Sequence, residues 1–178
     1  MQAEHLDLRY EPVEDRLILT ARGPTETLCL ALTRRLARLF LKALVDLLLR
    51  TSDTAARASE RHRNDVLLFE HVGALTRALA NRPDPGEGTA EAAGALRQDV
   101  AQPSALLARV DLSARDGRLI LLLAGADGGQ ATLSMPRDIA HQLLWAAYEK
   151  TRAAEWDFTE FAWIEQRERV VLTGASLS

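Results

Sequence analysis

The sequence predicts an α+β fold in which two β-β-β-α halves, related by a pseudo-twofold axis, form a mainly antiparallel sheet or open barrel with an inserted helix and linker. Alternating hydrophobic residues predict three short strands within residues 5–32 and three more within residues 107–135. An apolar-rich helix follows each group of strands, over residues 33–50 and after Pro136. At 178 residues the chain is long enough to bury a sizeable core without a metal or a disulfide.

The first half contains a predicted β-meander followed by two helices. Its strands are predicted over residues 5–10, 16–21 and 27–32. Thr33 is the expected N-cap of a helix that runs to Arg50, because a threonine hydroxyl accepts a hydrogen bond from a free N–H of the first turn. Ser52 or Asp53 is expected to cap a second helix that runs to Ala80 and packs antiparallel on the first.

A linker and the second half follow. Residues 81–94 contain two prolines and three glycines, which predict a mobile linker. Pro136 is expected at the start of a helix that runs to about residue 154, since its missing N–H costs nothing there. The remaining predicted strands cover residues 107–112, 118–123, 131–135, 156–163 and 169–173.

A repeated motif predicts an internal duplication. Arg16-Leu17-Ile18-Leu19 in the first half matches Arg118-Leu119-Ile120-Leu121 in the second, and Gly23 matches Gly125 at the same offset. We therefore expect three segments that form one compact unit. They are the first β-meander plus helix (1–52), a helix and mobile linker (53–104), and the second β-meander plus helix with C-terminal strands (105–178).

The composition is that of an ordinary globular protein, with 47% hydrophobic residues, 26% charged residues and a net charge of −3. This balance excludes a wholly disordered chain and gives the protein no strongly basic field to attract nucleic acid. The single cysteine, Cys29, lies among alternating leucines, so we expect a buried structural thiol.

The expected location is cytoplasmic. Residues 1–10 do not contain a basic segment followed by an apolar run, so no secretory signal is predicted. The apolar-rich stretch 36–49 is interrupted by Arg38, Lys42 and Asp46. It is too short and too charged to span a bilayer.

Basic residues form a stripe on the first predicted helix. Arg34, Arg38 and Lys42 recur at four-residue spacing, with Arg35 beside them. Cations near a helix N-terminus oppose the helix dipole, so the stripe favours an anionic partner. The alternative is a solvated face whose arginines pair with acidic neighbours and cover apolar surface with their stems.

Aromatic residues concentrate near the C-terminus, where six of the nine fall between Trp145 and Trp163. Trp156, Phe158, Phe161 and Trp163 either anchor a protein partner or close the core of the second half. The charged residues between these rings are mainly acidic, which argues against contact with phosphate.

Recognised catalytic and ligand-binding patterns are missing from the sequence. The four histidines show no metal-ligand spacing, and His141 is expected to be held by Asp138 one turn earlier. The glycine-rich residues 125–129 join two strands, so they predict a hairpin turn and not a phosphate-binding loop. We therefore predict no enzymatic activity, no metal and no cofactor.

Together these features favour a non-enzymatic protein-binding adaptor or assembly factor that also associates with itself. Its predicted partner-binding residues are Arg34, Arg35, Arg38, Lys42, Trp156, Phe158, Phe161 and Trp163. The alternative is a single-stranded nucleic-acid-binding module that uses the face of the sheet. Its predicted phosphate contacts are Arg9, Arg16, Arg22, Arg109 and Arg118. No membrane partner is expected for either function.

Overall fold

A computed structural model of the chain describes residues 1–81 and 103–166. The strands are β1 (Gln2–Ala3), β2 (His5–Glu11), β3 (Arg16–Arg22), β4 (Thr27–Leu32), β5 (Ala105–Arg115), β6 (Arg118–Gly125) and β7 (Gln130–Met135). The α-helices are α1 (Arg34–Arg50), α2 (Asp53–Arg57), α3 (Arg63–Ala80) and α4 (Arg137–Ala153). Short 3-10 helices cover Glu60–His62 and Thr159–Gln166, and the second of these is the C-terminal 3-10 helix.

One sheet holds all these strands in the order β1-β7-β6-β5-β4-β3-β2. Two antiparallel meanders, β2-β3-β4 and β5-β6-β7, are joined by short parallel pairings that place Leu30 opposite Ala105 and Ala3 opposite Leu133. Only Glu4 separates β1 from β2, although these strands lie at opposite edges of the sheet. The N-terminal chain therefore links both edges, and the sheet curves into a nearly closed barrel.

The predicted α+β class and barrel-like sheet are confirmed. Each of the six meander strands lies within a few residues of its predicted bounds, because alternation over six or more residues fixes both the strand and its inward face. The two-residue strand β1 is too short to show any period, and it was not predicted. Residues 125–129 form the predicted hairpin turn, closed by a hydrogen bond from the Gly125 N–H to the Gly129 carbonyl at 2.8 Å.

The two long helices that follow the meanders begin where the sequence predicts. The Thr33 hydroxyl accepts a hydrogen bond from the Leu36 N–H at 3.3 Å, which is the expected N-cap of α1. Pro136 occupies the N-cap position of α4 with φ of −68° and an extended ψ. Both helices end within one residue of the prediction.

The single helix predicted from Ser52 or Asp53 to Ala80 is wrong in its first part. Ser52 does cap a helix, accepting a hydrogen bond from the Ala55 N–H at 2.9 Å, but α2 ends at Arg57. Ala58 and Ser59 are extended, and α3 begins after the intervening 3-10 turn. Within α2 only Ala55 is buried, so this segment lacks the apolar face that would hold a continuous helix against α1.

The strand predicted over residues 156–163 is also wrong, because the C-terminal 3-10 helix begins at Thr159. Buried positions Phe158, Phe161 and Ile164 recur at every third residue, which is the period of a 3-10 helix. Glu155 has a positive φ of 53° and reverses the chain after α4. The strand predicted at 169–173 and residues 82–94 of the predicted linker lie outside the described residues.

The hydrophobic core lies between the inner face of the sheet and the helices. Its central side chains come from alternate positions of each strand and from the inward faces of α1 and α4, and include Leu19, Leu30, Leu41, Leu121 and Leu144, all fully buried. A separate cluster of Ile18, Cys29 and Ala31 lies on the other face of β3 and β4. The predicted burial of Cys29 is confirmed, and its sulfur lies 3.6 Å from the Thr20 hydroxyl.

A helix crosses a bilayer only if it is long enough and apolar enough. Within residues 1–81 and 103–166, no helix combines the length and the apolar character needed to cross a bilayer.

Truncation of Leu121 tests the importance of the barrel core. Its side chain is 0% exposed in the centre of β6, so Leu121→Ala should lower the free energy of unfolding by about 2–5 kcal/mol through lost burial and a residual cavity. Urea denaturation measures the change. The control Ile139→Ala, at a residue that is 43% exposed, should cost less than about 1 kcal/mol, and equal costs would contradict this core assignment.

Candidate functional site

Helix α1 has one face in the core and one face in solvent. Phe40, Leu41 and Leu44 are buried, whereas Arg35 and Lys42 are exposed on the opposite side. Leu39 lies between these two cations and keeps 52% of its surface exposed. Large apolar side chains that stay exposed next to cations are typical of surfaces that bind other molecules.

The C-terminal 3-10 helix packs alongside this exposed face of α1. Phe158 and Phe161 are buried and anchor the segment to the core, and their rings meet edge to face with centroids 6.3 Å apart. Trp156 is buried as well, and its indole N–H donates to the Asp15 carboxylate at 2.8 Å. Trp163 is only half-buried.

An open groove of ≈ 700 Å³ runs between α1, the start of α3 and the C-terminal 3-10 helix. We call it the α1 groove. Its apolar lining includes Leu39, Leu49 and Trp163, and its charged lining includes Arg35, Arg38, Lys42, Asp46 and Glu160. The groove therefore combines apolar contact area with an excess of cations.

The cations of the α1 groove differ in their partners. Arg38 donates a hydrogen bond to Glu160, and this contact holds the pKa of the Glu160 carboxyl below its usual range. The guanidinium groups of Arg34 and Arg38 each lie 5.9 Å from the centroid of the Phe158 ring, within cation–π distance. Arg35 and Lys42 form no ion pair with any residue in the described ranges.

Most of the residues predicted to bind a partner meet in this one groove. Five of the eight line it, namely Arg35, Arg38, Lys42, Phe161 and Trp163, and Arg34 lies beside it over the Phe158 ring. Trp156, Phe158 and Phe161 contact the core of the protein itself. Trp163 is the predicted aromatic anchor that retains accessible surface.

The arginines predicted to contact nucleic acid lie on the sheet and are mostly paired with acids. Three of them bind carboxylates two residues away in sequence, in the pairs Arg9–Glu11 at 2.8 Å, Arg16–Glu14 at 3.7 Å and Arg109–Asp111 at 2.7 Å. Arg22 binds Asp7 across the β2–β3 ladder at 2.8 Å. Arg118 differs, since it donates to the hydroxyl and the carbonyl of Ser134. Acidic partners largely cancel the positive field that phosphate recognition requires.

A half-buried polar junction, which we call the Arg137 junction, connects the helices. Arg137 donates to the Thr51 hydroxyl and the Leu48 carbonyl, both at 2.7 Å, and to the Glu70 carboxylate at 2.5 Å. The Ser52 hydroxyl donates to the other carboxylate oxygen of Glu70 at 2.6 Å. The Arg137 guanidinium thus hydrogen-bonds to groups at the C-terminus of α1 and to a carboxylate on α3. The same carboxylate, that of Glu70, also accepts from Ser52, the N-cap of α2.

Two buried histidines lie next to this junction. His71 of α3 is 0% exposed, His141 of α4 is 1% exposed, and their Nδ1 atoms are 3.4 Å apart. Burial lowers the pKa of His141 to about 3, and the nearby His71 and Arg137 act in the same direction. Asp138, which was expected to hold His141, forms no hydrogen bond with it: both of its carboxylate oxygens accept from Arg77, and its negative charge acts on His141 only by raising the pKa of that ring.

Sequence reasoning missed the Arg137 junction and the histidine pair. Their partners are 67 and 70 residues apart, and no local spacing signals a contact of that range. The detectable hint was the adjacent pair of ionisable residues, Glu70 and His71, on a helix whose neighbouring positions are apolar.

Removal of the Glu70 charge tests the junction. Glu70→Gln should lower the free energy of unfolding by about 1–3 kcal/mol, because it leaves Arg137 without its counter-charge. The loss should be smaller than for a fully buried pair, since both side chains are about a quarter exposed. Urea denaturation measures the effect, and Arg109→Gln, in a pair exposed by 71% and 44%, should cost less than about 1 kcal/mol. The loss in the double variant Glu70→Gln/Arg137→Met should be smaller than the sum of the losses in the two single variants, and purely additive losses would contradict a direct coupling.

Neither a metal-binding cluster nor a similarity to a known protein identifies a function for these two sites. Among the described residues no group of three or more His, Cys, Asp or Glu side chains could hold a metal ion. Comparison of the chain with known protein families, with curated proteins and with solved structures gives no match. The α1 groove and the Arg137 junction are therefore interpreted from their own chemistry.

Proposed function

We propose that the protein is a non-enzymatic adaptor or assembly factor that binds another protein in the α1 groove and also associates with itself. The observation that carries this proposal is the pair of exposed cations, Arg35 and Lys42, that flank the exposed Leu39 and have no ion-pair partner in the described parts of the chain. A groove of this kind fits a peptide segment that carries carboxylates on either side of an apolar side chain.

The position of the cations on α1 strengthens the argument. Arg34 and Arg35 are the first two residues of the helix, and its first turn contains no acidic residue. Cations at this end oppose the helix dipole, at a cost of about 0.3–1 kcal/mol each. Carboxylates supplied by a partner would relieve this conflict, and they would also pair with charges that the described chain leaves unpaired.

Apolar anchors next to these charges supply contact area. Leu39 and Trp163 both line the groove and both keep accessible surface. Tryptophan is enriched among the residues that dominate binding energy at protein interfaces, because its large ring buries much area at a small entropic cost. The groove thus offers an anchor with charged residues around it, as protein-binding surfaces commonly do.

Self-association is proposed through a different surface, the outer face of α3. Phe69 and Leu79 are 63% and 66% exposed, and Val72 and Thr76 lie between them at helical spacing. Such an apolar stripe is costly in water when it stays uncovered. In a twofold-symmetric dimer, the α3 stripe of one copy would pack against the α3 stripe of the other and remove both from water.

We also propose that the two halves arose by duplication, as the repeated motif predicts. Equivalent positions pair in the same register in both meanders. In the first meander Leu17 pairs with Leu32, and Leu19 pairs with Leu30. At the equivalent positions of the second meander Leu119 pairs with Met135, and Leu121 pairs with Leu133. The agreement of register with the sequence match supports a common origin, since a one-residue slip would reverse every side chain.

The alternative function, binding of single-stranded nucleic acid on the sheet, receives less support. Four of its five predicted arginines are already paired with carboxylates. Titration of labelled single-stranded DNA and RNA at about 50 and about 200 mM salt distinguishes the two, since phosphate contacts predict a steep loss of affinity between these conditions.

Charge reversal in the α1 groove tests the proposed function. Arg35→Glu combined with Lys42→Glu should raise the Kd for a partner, captured with the wild-type protein and then purified, by at least about tenfold, because each reversal replaces an attraction by a repulsion. The control reverses two exposed arginines outside the groove, Arg57→Glu with Arg61→Glu. Isothermal titration calorimetry measures both, and equal affinities for the two double variants would refute the groove as the binding site.

Polar substitutions on α3 test self-association. Phe69→Ser combined with Leu79→Ser should shift the wild-type oligomer toward monomer in sedimentation velocity experiments, because the stripe loses its two largest apolar side chains. Val13→Ser is the matched control, since Val13 is 90% exposed in a β-turn away from α3. A wild-type protein that stays monomeric at high concentration would rule out this part of the proposal.

A further inference from the structure

The wall of the α1 groove that α1 supplies has a regular spacing. Five of its residues follow one another at alternating intervals of four and three, namely Arg35, Leu39, Lys42, Asp46 and Leu49. These intervals keep side chains on one line along a helix, because seven residues make nearly two helical turns. At 1.5 Å per residue, the line from Arg35 to Leu49 is about 21 Å long.

The buried face of α1 has the same type of spacing. Ala37, Phe40, Leu44 and Leu47 recur at intervals of three and four residues, and all of them are buried. Rows of side chains at these intervals are the ridges by which helices pack on one another. The groove line is therefore a second face of α1 with a geometry that another helix can match.

The walls of the α1 groove favour a helical occupant over an extended one. All its lining residues in the described chain belong to α1, to the start of α3 at Asn64 or to the C-terminal 3-10 helix. Backbone groups inside a helix are already hydrogen-bonded to one another, so these walls offer no strand edge. An extended segment would find no backbone partners there, whereas an α-helix satisfies its own backbone groups.

The charge along the groove line changes sign. Arg35 and Lys42 lie in its first half and Asp46 lies one turn beyond them, and none of the three forms an ion pair within residues 1–81 and 103–166. Arg35 and Lys42 are seven residues apart, which is about two helical turns. Two carboxylates seven residues apart on a second helix have the same separation, so both cations could be paired at once.

The packing of α3 on α4 is a precedent within the chain. Arg137, the first residue of α4, binds the carboxylate of Glu70 on α3. On α1 the first two residues are Arg34 and Arg35, and Arg35 lines the open groove. The protein thus already contains one helix whose carboxylate is bound by an arginine at the start of another helix.

We propose that the α1 groove binds an amphipathic α-helix of another protein, at least about 15 residues long, with carboxylates spaced to pair with Arg35 and Lys42. This inference rests on the proposed function and specifies the structure of the partner segment. Apolar side chains of that helix contact Leu39 and Trp163, and a basic side chain faces Asp46.

Two labelled synthetic peptides test the conformation of the occupant with the full-length protein. The first is about three heptads long, with leucines at four-three spacing, glutamates seven residues apart beside them, one lysine in the last turn and alanine elsewhere. The second differs only by a central proline on the face away from the leucines, which breaks the helix and keeps the other side chains. Fluorescence anisotropy should give the first peptide a Kd at least about tenfold lower, and its helicity in circular dichroism should rise on binding.

Charge reversal locates the bound peptide. Arg35→Glu combined with Lys42→Glu should raise the Kd of the first peptide by at least about tenfold, because each change replaces an attraction by a repulsion. The control Arg57→Glu with Arg61→Glu, at exposed residues outside the groove, should leave the Kd within about twofold of the wild-type value.

The outcomes distinguish this inference from the proposed function. Equal affinities for the two peptides would indicate an extended occupant, and a first peptide that does not bind, or whose Kd ignores the groove reversal, would overturn the helical partner. A captured protein partner whose affinity still depends on Arg35 and Lys42 would then leave the proposed function intact. Conversely, a captured partner that ignores the reversal would refute the proposed function whatever the peptides do.

Discussion

The helical layer depends on the contacts of Arg137. Its guanidinium donates to the Leu48 carbonyl in the last turn of α1 and to the Thr51 hydroxyl at its C-cap, and it balances the charge of Glu70 on α3. Because α4 carries this arginine at its first position, the start of one helix fixes the end of another. These contacts hold α1, α4, α3 and the N-cap of α2 in one arrangement. The α1 groove and the histidine pair both lie between helices that are positioned in this way.

The sheet imposes the complementary constraint. Neither three-stranded meander could bury its inner face alone, and the two parallel pairings that join them involve few residues. The barrel therefore relies on α1 and α4, which pack across the seams, with α1 against β5 and α4 against β2. Each helix contacts a strand of the opposite half, so the helices contribute to closing the sheet as well as covering it.

The accuracy of the sequence predictions follows the range of the interactions involved. Strands such as β3 and β6 and the cap at Thr33 were predictable, because their signals lie within a few residues. The C-terminal 3-10 helix was mistaken for a strand because Trp156 and Phe158 alternate, whereas the period of three set by Phe161 and Ile164 decides the structure.

The candidate site was predictable only in part, for the same reason. Helical spacing alone placed Arg34, Arg38 and Lys42 on one surface of α1, with Arg35 beside them; of these, Arg35, Arg38 and Lys42 line the groove. The opposite wall of the groove is formed by a segment more than 100 residues away in sequence, as the contact between Arg38 and Glu160 illustrates. No pattern in a single sequence specifies such a meeting, and the same holds for the helices joined by Arg137 and by the two histidines.

A comparison of α1 with α4 supports the proposal that a partner binds in the α1 groove. Positions 34, 38 and 42 of α1 align in the proposed repeat with 137, 141 and 145 of α4. On α4 this face is covered by α3, and it carries an arginine in the junction, a buried histidine and a half-buried tryptophan. On α1 the same positions are exposed cations, and within the described residues the open groove beside them is bordered by the C-terminal 3-10 helix and the start of α3. If the halves share an origin, α3 covers on α4 the face that is exposed on α1 among the described residues, and an acidic partner segment in the α1 groove would cover that face.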